Sequence, residues 1–181
     1  MANETSEIAL SKQELRAVTA YAAECAQEVL EIFERAHATD SRPRDAIEAA
    51  WAFARGGERG KQLRDVGWAA HKAARDADTP AAADAARAAM SAAAAAYLHP
   101  LANAHQVKHI LGAAAHAARA AELMADDDRN VGAEHIERAR GRATPVVIDV
   151  LNRYPAAPAG GGRVGELLRG FDEALRRPGG R

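Results

Sequence analysis

This sequence predicts an all-α, single-domain bundle of about seven to eight helices with an alanine-rich core. Three observations carry that expectation. Alanine, the strongest helix former, supplies about a quarter of the 181 residues, while aromatics make up only 4%. Apolar residues recur at spacings of three and four, the period of one helix face. Strand formers never alternate, and the densest β-branched patch is VVIDV at 146–150. Each alanine removes little apolar area from water, so the core must gain from many small contacts between closely approaching helices.

The first helix opens at Ser11, with Glu14 three residues on as the second half of a capping box. Leu15, Val18, Ala22, Cys25, Val29 and Ile32 give one apolar stripe, and the helix is expected to run to about residue 38. Asp40 or Ser41 caps a second helix with Pro43 in its first turn, where a missing amide costs little. Ile47, Trp51 and Ala54 line its inner face before Gly56-Gly57 stops it. A third helix over 61–77 places Leu63, Val66, Ala70 and Ala74 on one side. Thr79-Pro80 opens a fourth, which has no polar face over 88–98 and is therefore expected to be buried on most sides.

His99-Pro100 then interrupts the pattern, because proline removes a ladder hydrogen bond and biases the residue before it away from helical geometry. Two residues make a very tight hairpin, so a Pro break or kink is expected, the helix continuing from 100 to about 125. Asp126-Asp127-Asp128 lacks the rest of a calcium-loop pattern and reads as a solvated turn. A polar sixth helix follows over 131–142, and Thr144-Pro145 caps a seventh carrying Val147, Ile148 and Leu151. By composition, residues 1–10 form a flexible N-terminus, 11–154 the bundle and 155–162 a Pro/Ala/Gly linker. Residues 163–177 form a C-terminal amphipathic helix that turns Val164, Leu167, Leu168, Phe171 and Leu175 inward, and 178–181 a frayed tail.

The formal net charge is −1 with both signs interleaved, so neither nucleic acid nor membrane is an expected partner. Arg42, Arg44, Arg55, Arg59, Lys61 and Arg64 make the most basic region, but Asp45, Glu48, Glu58 and Asp65 lie among them, as on a solvated helix surface. The single Cys25 cannot form an internal disulfide and suits a reducing compartment. With no signal-type apolar run in residues 1–14, the expected location is cytoplasmic.

Histidine is concentrated in YLHPLANAHQVKHILGAAAHAARAAEL, residues 97–123. On a 3.6-residue helix His105, His109 and His116 share one narrow stripe with Gly112, opposite Val107, Ile110, Leu111, Ala114, Ala118 and Ala121. The stripe therefore faces a second helix layer, a cleft or solvent. Three readings stand. His105 and His109 have the i, i+4 spacing of two imidazoles sharing a divalent transition metal, with His116, His71 or His99 as further ligands. Lys108 beside them disfavours a dication, and the HExxH pattern is absent. General-base work falls to His71 or His109. The third and preferred reading is structural, with imidazoles bonded to carbonyls or to acids such as Glu24 and Glu28. No cofactor is called for. Gly57 to Gln62 lacks the spacing and the hydroxyl of a phosphate loop, and Cys25 lies on an apolar stripe. Trp51 and Trp68 read as core anchors rather than base-stacking platforms.

The motifs RPRDAIEAAWAFARG (42–56), AAHKAARDA (69–77), AAAAAYLHPLANAHQVKHILGAAAHAARAAEL (92–123) and RYPAAPAGGGRVGELLRGFDEALR (153–176) resemble the immunity-protein-five-like family, small α-helical proteins common in actinobacteria. Matching positions are Arg42, Pro43, Trp51, Arg55, His71, His99, Pro100, His109, Gly112 and His116. His105 departs from the pattern, where a small hydroxyl residue is expected, which weakens a one-helix metal site. The resemblance implies a cytoplasmic antidote that binds and blocks a toxin encoded nearby, and it carries over no catalytic residues; as an assembly the chain is expected to be a monomer or homodimer. The alternative is a small helical enzyme or metal binder built on His71, His99, His109 and His116. A weaker third is a pH-responsive helix surface at His105 and His109.

Overall fold

Local sequence signals place most of the helix ends in the computed structural model, which describes residues 6–177. The expected tail at 178–181, and residues 1–5 of the expected flexible N-terminus, lie outside that range. Nine α-helices follow in order: α1 Lys12–Gln27, α2 Leu30–Ala36, α3 Arg42–Ala54, α4 Lys61–Asp76, α5 Pro80–Ala95, α6 Val107–Met124, α7 Arg129–Arg142, α8 Pro145–Asn152 and α9 Gly162–Arg176. Ser11 and Glu14 form the expected capping box on α1. Thr79 and Thr144 accept from the third backbone amide after them, each with proline next in sequence. Asp128 accepts from the Asn130 amide at 2.9 Å and caps α7.

The first helix is not continuous to residue 38; it ends at Gln27, and Val29 leaves helical geometry before α2 begins. The reason lies in register. The stripe Leu15, Val18, Ala22, Cys25, Val29 would carry on to Ile32, yet Leu30 and Phe33 are the residues buried, and Ile32 is only half-buried. The break shifts the inward face by one residue, so Phe33 enters the core and α2 packs on α5.

At His99-Pro100 the chain takes the expected break rather than a kink in one continuous helix. α5 stops at Ala95, residues 97–103 form a connector, a 3₁₀ turn spans Ala104–Gln106, and α6 starts at Val107. The two helices run antiparallel, since His109 meets Ala94, Gly112 meets Ser91 and His116 meets Asp84. Long-range pairing stabilises this hairpin. Ile8 donates its amide to the Pro100 carbonyl at 2.7 Å, Ala102 donates to Ser6 at 3.2 Å, and Glu7 and Leu101 form an isolated antiparallel bridge. Residues 6–8 are thus fastened rather than loose, and Ile8 is buried.

α5 and α6 form the centre, with α5 also touching α1, α2, α3 and α4, and α6 touching α1, α7 and α9. Alanine makes this possible: 12 of the 16 residues of α5 and 12 of the 18 of α6 are buried, and Gly112 approaches Ser91 closely. Phe33, Phe53 and Phe171 fill the larger spaces between the outer helices and this pair. Burial pushes the Cys25 thiol up to about 12, consistent with an inert apolar role. The loop before α9 is pinned: Ala157 donates to Asp172, Arg169 donates to the Gly160 carbonyl at 2.6 Å, and Gly160 and Gly161 take left-handed φ values of 86° and 79°.

Candidate partner-binding face

The histidines go to different partners. His109 donates from Nδ1 to the Ala94 carbonyl at 2.9 Å, and burial pushes its imidazole below the ordinary range despite that bond. His116 donates from Nδ1 to Asp84 Oδ1 at 2.8 Å, across the same helix pair. One bond runs to a backbone carbonyl and the other to an acid, both on α5 rather than at Glu24 or Glu28. His105 does not extend the stripe; it sits exposed in the 3₁₀ turn, its amide bonded to Asn103 Oδ1. His99 is exposed, and its backbone accepts from Tyr154 and donates to Gln106. His71 lies on α4, its ring edge-on to Trp68 at 5.9 Å, with a buried Nδ1 that has no hydrogen-bond partner among the described residues. Among the described residues no group of three or more histidine, cysteine or carboxylate side chains is disposed to hold a metal ion.

Two hollows flank α5. One, of about 470 Å³, lies between α5, α6 and the loop leading into α9. Asp84, Arg87, Lys108, His116, Arg119 and Arg163 contribute its polar wall. Behind it Glu122, fully buried, accepts from Arg163 at 2.6 Å and from Arg119 at 2.8 Å, joining α6 to α9. The charges here are largely matched. An imidazole oriented by a carboxylate, as His116 is by Asp84, is competent for proton transfer.

The other hollow, of about 370 Å³, runs between α4 and α5 and is lined almost wholly by apolar atoms. Gly67 lines the trough, where a Cβ would sit 3.4 Å from that of Ala93. Leu63 and Met90 line the sides. At one end Tyr97 donates to the Gly60 carbonyl at 2.8 Å, with the guanidinium groups of Arg64 and Arg59 5.4 and 5.7 Å from its ring centre. Trp68 stands at the lip with 67% of its surface exposed.

Trp68 is therefore not the core anchor its residue type suggested, and Trp51 fills that description only in part. Trp51 is half-buried, donates to Gln27 and stacks with Arg55. The signal that identifies Trp68 is its spacing. It lies four residues after Arg64 and four before Lys72, off the buried Leu63, Ala70, Ala74 side of the helix. An indole on the polar face of a surface helix is the type of residue that anchors protein interfaces.

No described helix is long and apolar enough to cross a membrane. No curated protein and no solved structure matches the chain. The family model described as Imm-5 like putative immunity protein matches residues 9–142, from just before α1 through α7.

Proposed function

The chain belongs to the Imm-5 like putative immunity protein family, and on that premise we propose that it binds and neutralises a toxic protein, by occupation rather than by catalysis. The observation that carries this reading is the exposed Trp68 beside an apolar trough. Leaving a large aromatic in water forgoes about 1.5–3 kcal/mol of burial, a penalty expected at a surface that a partner covers. The bundle behind it is tightly packed around α5 and α6, so the face is presented on a rigid support and loses little entropy on docking.

Expression of each neighbouring gene product in a heterologous host, alone and with this chain, tests the proposal. A neighbour that arrests growth alone, is rescued by this chain and co-purifies with it in fixed stoichiometry is the expected result. Rescue without a stable complex would instead favour an enzyme. That second reading draws its support from the Asp84–His116 pair in the polar hollow, and it predicts that His116→Gln abolishes rescue while leaving the fold intact.

A further inference from the structure

The charges around Trp68 indicate what kind of surface covers it. Lys61, Arg64, Trp68, Lys72 and Arg75 follow one another along α4 at spacings of three or four and are all exposed, so one stripe sets cations on both sides of the indole. Many arginines elsewhere are matched by carboxylates, Arg42 with Asp40 and Asp76, Arg44 with Glu34, Arg142 with Glu28 and Arg153 with Glu14, while Arg55 and Arg59 lie over the rings of Trp51 and Tyr97 and Arg169 is held by the Gly160 carbonyl. On this stripe only Lys61 has a carboxylate partner, Asp65, among the described residues. Arg64, Lys72 and Arg75 pair with no carboxylate among the described residues. Across the trough, Arg87 reaches Asp84 only at 3.5 Å.

The chain as a whole carries −1, so this is a local excess of positive charge around an apolar slot. A cation stripe alone suits nucleic acid as well as protein. The slot decides between them, because single-stranded nucleic acid is held by several stacking aromatics along a basic track, whereas here methyl and methylene groups form a trough beside one tryptophan.

We propose that the α4/α5 face binds an acidic amphipathic segment of the partner, which inserts an apolar side chain beside Trp68 and sets its carboxylates against Arg64, Lys72 and Arg75. This rests on the partner-binding reading above and adds the chemistry of what is bound. A slot of about 370 Å³ lies at the small end for ligand sites, which suits one anchor side chain rather than a whole small molecule. Its cations act mainly on encounter and on the choice of partner.

The test is selection of the intact chain against a displayed library of random peptides about 16 residues long, near the shortest length at which isolated helices form. Selected peptides are then titrated individually by isothermal calorimetry, which reads the Trp68 variant as well as the native chain. The expected result is net-acidic sequences with apolar residues three or four apart, and binding that weakens with salt. Trp68→Ala should reduce affinity about thirtyfold, the size of an interface anchor, and the double change Arg64→Glu and Lys72→Glu should reduce it about tenfold or more. Since all three side chains are exposed, melting curves should remain unchanged.

Selected peptides that are neutral or basic, or whose binding ignores both variants, would overturn the proposal. A short single-stranded RNA binding more tightly than every peptide would do so too, as would self-association that Trp68→Ala abolishes. The two readings fail separately. Loss of toxin rescue with acid-selective binding retained removes only the immunity reading, and rescue that survives Trp68→Ala removes only the docking face.

Discussion

Gly132→Ala places two physical effects in direct opposition. On helix propensity alone it should stabilise α7 by about 0.5–1 kcal/mol. A Cβ on that backbone, however, would lie 2.0 Å from Oε1 of Glu122, 2.5 Å from its Cδ and 2.6 Å from its Cγ. Glu122 cannot move aside cheaply, because it is fully buried and both of its oxygens are held, one by Arg163 and the other by Arg119. Removing one partner of a buried ion pair costs about 3–5 kcal/mol. Arg119 and Arg163 retain Asp127 and Glu166 as exposed partners, which favours the lower end of that range. Less the propensity gain, the net loss is about 2–3 kcal/mol. For a chain of this length that lowers Tm by about 5–10 °C. Gly170→Ala in α9 is the internal control, since its Cβ would meet nothing within 4 Å and should stabilise by up to about 1 kcal/mol. Thermal and urea unfolding followed by helical circular dichroism reads both changes. If Gly132→Ala proved as stable as Gly170→Ala, the reasoning about Glu122 would be refuted.

Two further outcomes follow from the same geometry. Ser11→Ala removes half of the capping box and should destabilise by about 1 kcal/mol in urea unfolding, while Ser11→Asp should retain most of it; equal losses in both would rule the box out as the cause. His109 and His135 are both held below the ordinary histidine range, chiefly by burial. Each therefore binds fewer protons folded than unfolded, so the stability it contributes is intact above its unfolded pKa of about 6.5 and is lost as pH falls toward the folded value. Unfolding free energy should decline between about pH 7 and pH 5, and His109→Gln with His135→Gln should flatten that slope; an unchanged slope would contradict the burial argument.

Where a helix begins was legible because capping is a local event. Ser11 with Glu14, Thr79-Pro80 and Thr144-Pro145 each satisfy or dispense with free amides using neighbours in sequence. Non-local contacts account for what could not be read. The one-residue slip between Cys25 and Phe33 leaves a plausible 3–4 spacing through Ile32, so periodicity alone conceals the break at Val29. The turn at His99-Pro100 depends on Ser6 and Ile8, some ninety residues away in sequence, which accept from and donate to the connector. The imidazoles of His109 and His116 show the same limit: the helix face was legible, whereas Ala94 and Asp84 become their partners only once α5 folds back against α6. Trp68 was missed for a different reason. Its residue type argues for burial, and only its place among Arg64, Lys72 and Arg75 argues for exposure.

The docking claim is tested most directly by Trp68→Ala in cells carrying the neighbouring toxic gene product. Growth rescue should fall with the change, binding of the purified pair measured by calorimetry should weaken about thirtyfold, and the melting temperature should stay where it was, since the indole is 67% exposed. Full rescue and unchanged affinity in that variant would contradict the assignment of this face.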